Sequence, residues 1–351
     1  MVTTAAIRRV LCANVRVCAP TTTIIPSSSS PPPPSSPLLL QRHLLLPFLP
    51  QRLRHRLYST TTADNTRVVR LVYDHHEPPS SGATITPTPD DDNNNKRDSP
   101  IVFLHGLFGS KKNNRTVCRV LARDLKRHVY ALDLRNHGES PHAPRHDYLA
   151  MADDVAGFIH GHGLRKPTLI GHSMGAKTAM TLALGQPDLV RDIVAVDNAP
   201  VDAVLSTSFA KYIQGMRRIE EAGVRRQSEA DKILQEYEES LPIRQFLLGN
   251  LSRDSNDDGT YKFRVPLEVL ARSLDHLGDF PYKDPSAVRF VGPALFVRGT
   301  RSRYVPDDVL PLIGQFFPRF ELVDIDAGHW VISEKPEEFL RAVIEFLTPK
   351  E

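Results

Sequence analysis

The sequence predicts an α/β protein in which a mostly parallel central sheet has helices on both faces and carries a helical cap. From residue 101 onward, short apolar runs alternate with segments of helical periodicity. Continuous apolar strands alternating with helices are typical of a parallel sheet that is covered on both faces. Between about residues 199 and 291 the alternation stops, and polar sequence with helical periodicity predicts a helical cap inserted into the sheet domain.

Six apolar runs are predicted as strands of this sheet, at residues 101–104, 128–132, 168–170, 193–196, 294–297 and 321–325. Helices are predicted at 114–126, around 151–161 and at 174–184. An earlier run at 68–73 is also strand-like. The low-complexity stretch 78–99, which follows that run, has too few apolar residues to repay the entropy of ordering and is predicted to be a disordered loop.

Residues 1–58 differ in composition from the remainder of the chain. They contain seven arginines and no aspartate or glutamate, and they are rich in serine, threonine and proline. This composition is typical of a mitochondrial transit peptide, whereas the alternative is an ordinary disordered tail. We therefore expect a protein of the mitochondrial matrix whose single folded domain comprises residues 59–351, a comfortable size for one core.

Composition also excludes several classes of protein. The longest apolar stretches fall short of the ~18 residues needed to span a membrane, so no transmembrane segment is predicted. Outside residues 1–58 there are 37 basic and 41 acidic residues, which argues against a nucleic-acid partner. Three scattered cysteines provide neither a disulfide framework nor a metal site, and no nucleotide-binding glycine pattern follows a strand. We therefore predict no metal and no cofactor.

The strongest local signal is the segment Gly171-His172-Ser173-Met174-Gly175. It has the pattern G-x-S-x-G and lies between an apolar strand and an apolar helix, where the pattern predicts a sharp turn that exposes a nucleophilic serine. Side chains at the two glycines would collide across that turn. The N-terminus of the following helix points its dipole and free N–H groups toward the same place. Ser173 is the predicted nucleophile.

A serine nucleophile needs a base, and His329 is the candidate. It follows the last predicted strand, and the chain order serine, acid, histidine is the one this architecture uses.

The acid is harder to predict. After the strand at 294–297, where the acid usually stands, the sequence has Ser302. Asp197 ends the strand that follows the nucleophile helix, and from there a carboxylate can reach the far ring nitrogen of the base. Asp307 and Asp326 stay open as weaker alternatives.

Two backbone N–H groups should form an oxyanion hole for the reaction. One belongs to Met174, directly after the nucleophile, and the other to Leu107 in the glycine-containing loop after the first parallel strand. The substrate pocket is predicted to include four further side chains: His105, Phe108, His172 and Trp330.

Six segments together resemble one branch of the α/β-hydrolase superfamily: FLHGLFGSKKNN, ALDLRNHGES, IGHSMGAK, VDNAPVD, RGTRSRYVPDD and AGHWVISEKPEEF. That branch includes the yeast ethanol acetyltransferases, the mitochondrial abhydrolase-domain 11 type and the bacterial YbfF-type esterases. The resemblance covers nearly all of residues 67–348 and implies the α/β-hydrolase fold with Asp197 as the acid. It also implies that Asp133 to Ser140 is a structural turn without chemistry.

The predicted chemistry is the formation of an acyl-enzyme on Ser173, which then passes its acyl group to water or to an alcohol. The resemblance implies an alcohol O-acetyltransferase that uses acetyl-CoA as a substrate and ethanol as acceptor, with esterase and thioesterase side activity. Three alternatives stay open: a plain carboxylesterase or thioesterase, a matrix partner protein with a non-catalytic role, and a different hydrolase-fold chemistry such as C–C bond hydrolysis.

Overall fold

The computed structural model describes residues 8–9, 68–79, 99–203, 207–253 and 259–348. The predicted transit peptide, apart from Arg8–Arg9, and most of the predicted loop 78–99 lie outside the described residues.

Ten strands are described: β1 (Arg8–Arg9), β2 (Val72–His76), β3 (Ile101–Leu104), β4 (Val129–Asp133), β5 (Thr168–His172), β6 (Asp192–Val196), β7 (Leu251–Arg253), β8 (Tyr261–Phe263), β9 (Ala294–Gly299) and β10 (Phe320–Ile325). Eight of them form one sheet in the order β1-β10-β9-β6-β5-β3-β4-β2. The six central strands are parallel, and β1 and β2 pair antiparallel at the two edges. The predicted α/β class with a mostly parallel sheet is confirmed.

The helices are α1 (Arg115–Leu125), α2 (Tyr148–Gly161), α3 (Met174–Gly185), α4 (Thr207–Glu221), α5 (Gln227–Leu234), α6 (Leu241–Leu248), α7 (Leu267–Arg272), α8 (Leu274–Gly278), α9 (Leu310–Phe316), α10 (Val331–Glu334) and α11 (Pro336–Leu347). Alternate residues of β3 point to opposite faces of the sheet. Ile101 and Phe103 pack in the apolar cluster that contains residues of α1 and α11. Val102 and Leu104 pack in the other cluster, with residues of α2, α3 and α4.

The strand predicted at 68–73 is wrong in its position, because the structure places β2 at Val72–His76. The strand lies at the edge of the sheet, where its residues alternate between exposed and half-buried. An edge strand of this kind does not need a continuous apolar run, so the apolar residues upstream misplace it.

Between β6 and β9 the chain forms the five helices α4 to α8 and the short antiparallel pair β7–β8. The predicted cap segment did not include that strand pair. Two side chains of the sheet domain bind the end of α8, the last helix of the cap. The Tyr148 hydroxyl donates to the carbonyl of Leu277 (2.7 Å), and Lys177 Nζ donates to the carbonyls of Gly278 and Asp279 (3.0 Å each).

None of the helices in the described ranges is both long and apolar enough to cross a membrane.

Candidate active site

Ser173 lies at the junction between β5 and α3, in a strained conformation with φ 54° and ψ −113°. The turn is tight enough to exclude side chains on both flanking glycines. A Cβ on Gly171 would lie 2.2 Å from the carbonyl oxygen of Gly175, and a Cβ on Gly175 would lie 2.3 Å from that of Leu104. The Ser173 N–H donates to the Val196 carbonyl (2.9 Å), which ties the turn to β6. The glycines therefore allow the local geometry that the G-x-S-x-G pattern predicts.

Asp197 follows β6 directly and also has a positive φ of 51°. Its N–H donates to the Val297 carbonyl on β9 (2.8 Å), and its side chain is 0% exposed. Carboxylate oxygen Oδ1 accepts the N–H of Gly299 (3.0 Å), and Oδ2 accepts the hydroxyl of Ser302. The buried carboxylate is thus held by three donors once the imidazole described next is included.

His329 joins the other two residues in a continuous hydrogen-bonded chain. Its Nδ1 lies 2.7 Å from Asp197 Oδ2, and its Nε2 lies 2.9 Å from Ser173 Oγ. Because an ionised carboxylate only accepts, Nδ1 carries the proton in this arrangement and Nε2 accepts the serine hydroxyl. The His172 ring donates from Nε2 to the His329 carbonyl (2.8 Å), which fixes the backbone of the base.

The two alternative acids are engaged elsewhere. Asp307 is 81% exposed and accepts from Arg298 Nη1 (2.6 Å), whereas Asp326 is 69% exposed and accepts from Arg301 Nη1 (2.7 Å). The structure therefore brings Asp197, and neither of these, to the imidazole.

The predicted oxyanion loop packs directly against the nucleophile, since a Cβ on Gly106 would lie 3.3 Å from Ser173 Cβ. Within this loop the Phe108 N–H donates to His137 Nε2 (3.1 Å) and the Gly109 N–H to the Gly106 carbonyl (2.9 Å). The N–H groups of Leu107 and Met174 have no acceptor among the residues that the structure describes. These two N–H groups are the ones predicted to donate hydrogen bonds to an oxyanion, and that role stays a prediction.

A cavity of about 780 Å³ lies between the loop after β3, the start of α6 and the region of α10. Its lining includes His172, which directly precedes the nucleophile, but not Ser173 itself. Three of the predicted pocket residues line it: His105, His172 and Trp330. Phe108 does not. Its φ of 62° is left-handed, and its ring is only 1% exposed and lies 6.2 Å from that of Phe209 on α4. The pocket assignment of Phe108 is therefore corrected.

The cavity wall combines aromatic and neutral polar side chains. The rings of Phe246 and Trp330 meet edge to face at 4.8 Å, beside Ile243, Val117 and Ile332. The lining residues include asparagine, glutamine and serine but no lysine or arginine. Their one carboxylate, Glu334, accepts from Arg301 and from the Gly328 N–H. The wall therefore offers no free cation to an anionic ligand.

Two histidines at the site are held neutral by burial. Burial and the neighbouring His329 lower the pKa of His172 to about 4. Burial likewise lowers the pKa of His105, whose Nδ1 donates to the Gly106 carbonyl while its Nε2 accepts the Leu134 N–H. Both rings therefore support backbone segments rather than exchange protons near neutral pH.

Three residues at the site were not identified from the sequence. Ser302 binds the carboxylate of Asp197, the Tyr304 ring stacks on His329 at 4.1 Å, and Phe246 reaches the cavity from the cap. Of these three, only Ser302 could have been suspected from the sequence, because it occupies the position where an acid is usual. Among the described residues no group of three or more potential ligands could hold a metal ion.

The sheet order, the serine turn and the hydrogen-bonded chain define the class of protein: an α/β hydrolase. Comparison with known proteins agrees, since the family described as alpha/beta hydrolase fold matches residues 99–336. The chain belongs to this family, and it is an enzyme of the hydrolase and acyltransferase type.

Individual proteins show which branch of the family this chain is similar to. A probable alcohol acetyltransferase of Saccharomyces cerevisiae is 42% identical, over 71% of this chain and 77% of the relative. An sn-1-specific diacylglycerol lipase of Xenopus laevis is 43% identical, over 71% of this chain and 79% of the relative. Among solved structures, a marine microorganism esterase superposes with a TM-score of 0.69 at 30% identity, covering 79% of this chain and 99% of the esterase. The resemblance read from the sequence is confirmed.

Proposed function

We propose that this protein is a serine-dependent acyl-ester enzyme that works through an acyl-enzyme on Ser173. The observation that carries the proposal is the continuous chain from Asp197 through His329 to Ser173, with contacts of 2.7 and 2.9 Å. Ser173 Oγ attacks the ester carbonyl carbon while its proton passes to His329 Nε2. The N–H groups of Leu107 and Met174 stabilise the oxyanion that forms.

Collapse of this tetrahedral intermediate breaks the bond to the alcohol, which leaves with the proton that His329 returns. A water molecule or a second alcohol then attacks the acyl-enzyme while His329 takes its proton. As the bond to Ser173 Oγ breaks, His329 returns that proton to the serine oxygen, and the acyl group leaves as an acid or as a new ester. Asp197 orients the ring and stabilises the imidazolium in both halves of the reaction.

The cavity favours a neutral ester with an extended apolar chain as the substrate. Its volume of about 780 Å³ is typical of sites for ligands far larger than an acetyl group. The edge-to-face pair Phe246–Trp330 offers apolar surface for such a chain, and the absence of a lining cation disfavours phosphate groups inside the cavity. The similarity to a diacylglycerol lipase supports this substrate class.

Alcohol O-acetyl transfer from acetyl-CoA is the second candidate. It is favoured by the 42% identity to a probable alcohol acetyltransferase. In this case the acetyl group would reach Ser173 while the phosphates of CoA stay outside the cavity. Thioesterase activity would follow when water rather than alcohol accepts the acetyl group. A purely non-catalytic role is disfavoured because the three site residues are fully connected.

We propose the mitochondrial matrix as the location, on the composition of residues 1–58 alone. The test is the distribution of the full chain, tagged at its C-terminus, with and without these residues. Loss of mitochondrial fractionation on their removal supports the proposal, and unchanged fractionation contradicts it.

The activity is tested with the purified chain and its Ser173→Ala variant. Neutral acylglycerols and aryl esters with acyl chains of increasing length are supplied in one series, and acetyl-CoA with and without ethanol in another. Ser173-dependent hydrolysis that increases with chain length supports the ester hydrolase. Ser173-dependent ethyl acetate, with little ester hydrolysis, favours the acetyltransferase. Activity in neither series contradicts both.

A further inference from the structure

Phe108 lies directly after the predicted oxyanion donor Leu107, and its backbone is held at both polar groups. Its N–H donates to His137 Nε2 (3.1 Å), and its carbonyl accepts from Asn250 Nδ2 (2.8 Å). The φ of Phe108 is 62°, a left-handed conformation that a non-glycine residue seldom adopts unless its surroundings impose it. The loop therefore depends on bonds from outside itself.

His137 comes from the turn after β4, the segment that the family resemblance treats as purely structural. It is completely buried, and its Nδ1 donates to the Arg135 carbonyl (3.0 Å). That bond fixes the tautomer, so the Nε2 lone pair is available to the Phe108 N–H. Burial, with the neighbouring His105 and His146, holds the pKa of His137 well below its ordinary value. The acceptor is therefore present throughout the neutral range.

Asn250 comes from the cap, two residues after the end of α6. It is buried, its carbonyl accepts the Arg264 N–H (2.9 Å), and its side chain reaches the Phe108 carbonyl across the boundary between cap and sheet domain. Its side-chain amide also lies 3.3 Å from the Leu247 carbonyl at the end of α6. The cap thus supplies one of the two bonds that define the orientation of the Phe108 peptide groups.

We propose that Asn250 and His137 are positioning residues that aim the Leu107 N–H at the oxyanion formed on Ser173. The inference rests on the proposed function. The Phe108–Gly109 peptide group, whose carbonyl accepts from Asn250, donates its N–H to the Gly106 carbonyl (2.9 Å), and that carbonyl belongs to the peptide group that carries the Leu107 N–H. Rotation at Phe108 would therefore disturb the direction of the Leu107 N–H, and a donor aimed away from the oxyanion stabilises the transition state less. The cap consequently takes part in catalysis through the oxyanion hole as well as through the cavity wall.

The test uses Asn250→Asp and Asn250→Ala in the full chain, with Ser273→Ala as the matched control. Ser273 is a buried polar residue of the cap whose hydroxyl donates to the Val269 carbonyl (2.8 Å), four residues earlier in the chain. For each variant we would measure kcat, KM, the thermal midpoint and the affinity for a trifluoromethyl ketone, which forms a hemiketal oxyanion on the serine.

We expect both Asn250 variants to lose roughly 10- to 100-fold in kcat, because removing an oxyanion donor outright costs about 10²–10³. Affinity for the ketone should fall in parallel while KM stays within about threefold, and Ser273→Ala should keep wild-type values. In a second pair, His137→Gln keeps an acceptor and should retain more activity than His137→Leu.

Wild-type kcat and ketone affinity in both Asn250 variants would overturn the inference. A loss of kcat that parallels a decrease in the thermal midpoint, with unchanged affinity for the ketone, would also overturn the inference. A wild-type protein without Ser173-dependent activity would instead overturn the proposed function, and this inference with it.

Discussion

Asp197 Oδ2 and His329 Nδ1 lie 2.7 Å apart, although strand β9 stands between the two strands that precede these residues. The approach is made possible by the positive φ of Asp197, which turns the chain at the end of β6. The N–H of Gly299 at the end of the intervening strand and the hydroxyl of Ser302 in the turn after it bind the same carboxylate. The turn where an acid is usual thus contributes donors, and the acid comes from one strand nearer the nucleophile.

The first prediction concerns the nucleophile and the base. Ser173→Ala and His329→Ala should each lower the turnover of the best ester by about 10⁴, because members of such a chain act as a unit. A fluorophosphonate probe should label the wild-type protein and leave Ser173→Ala unlabelled. Either variant keeping more than a tenth of the wild-type rate would contradict the assignment.

The second prediction separates the candidate acids. Asp197→Asn should lose roughly 10³–10⁴ in kcat, because the amide favours the wrong tautomer of His329. Asp307→Asn serves as the control, since Asp307 is an exposed partner of Arg298, and should stay within about threefold of wild type. Steady-state kinetics on one ester compare the two, and the reverse ranking would move the acid to the strand after the cap.

The third prediction concerns the hydroxyl beside the acid. Ser302→Ala removes a donor from the buried carboxylate of Asp197, and a hydrogen bond to a charged group contributes about 1.5 kcal/mol. We expect kcat to fall about tenfold with little change in KM. Ser286→Ala is the matched control, because it also removes a hydroxyl bound to a carboxylate (2.6 Å from Asp284), but on the exposed surface. Equal kcat values for the two variants would contradict the prediction.

The fourth prediction concerns the apolar wall of the cavity. Phe246→Ala removes the cap's ring from Trp330, which leaves less surface to bury a long acyl chain. Loss of one such side chain costs about 1.5–3 kcal/mol of apolar burial, so kcat/KM for a decanoyl ester should fall at least tenfold. The acetyl ester should change less than threefold. A uniform loss across chain lengths would show that the ring supports the fold and not the chain.

The fifth prediction concerns acid stability. Burial lowers the pKa of His146 to about 3 and, with His329, that of His172 to about 4, so the folded state binds fewer protons than the unfolded state below pH 6.5. Stability is therefore fully present above pH 6.5 and falls as the pH drops toward 4. Each such histidine contributes about 1.4 kcal/mol per pH unit.

Urea unfolding at pH 7.5, 6.5, 6 and 5 measures this effect. The urea concentration at the unfolding midpoint should be the same at pH 7.5 and 6.5 and should decrease steeply toward pH 5. His146→Gln should show a shallower decrease, since one group no longer titrates. A midpoint that is unchanged between pH 7.5 and 5 would be incompatible with neutral, buried histidines.

The sequence predicted the parts of the site that local geometry dictates. Gly171 and Gly175 have no room for a Cβ, and because of that constraint the five-residue pattern from Gly171 to Gly175 is enough to predict the position of Ser173. Asp197 could be inferred because neighbouring parallel strands end at the same edge of the sheet. The buried central strands were also readable, because both of their faces need apolar residues.

The contacts that the sequence did not reveal are made between distant segments by ordinary polar residues. The bond from Asn250 to Phe108 joins residues 142 positions apart, and neither residue type indicates it. Phe108 was misassigned because its left-handed backbone, which no sequence pattern marks, turns its ring toward Phe209. Edge strand β2 and the β7–β8 pair are short and half-exposed, so they lack an apolar signal.

The most direct test of the account is to trap the acyl-enzyme. Wild-type protein and Ser173→Ala are mixed with a p-nitrophenyl ester, quenched in acid within the first turnover, and mapped by peptide mass. We predict a burst of about one nitrophenol per active site and an acyl group on the peptide that contains Ser173, with neither in the variant. Turnover by Ser173→Ala above a tenth of the wild-type rate, or steady wild-type turnover with no acyl group on Ser173, would contradict the mechanism.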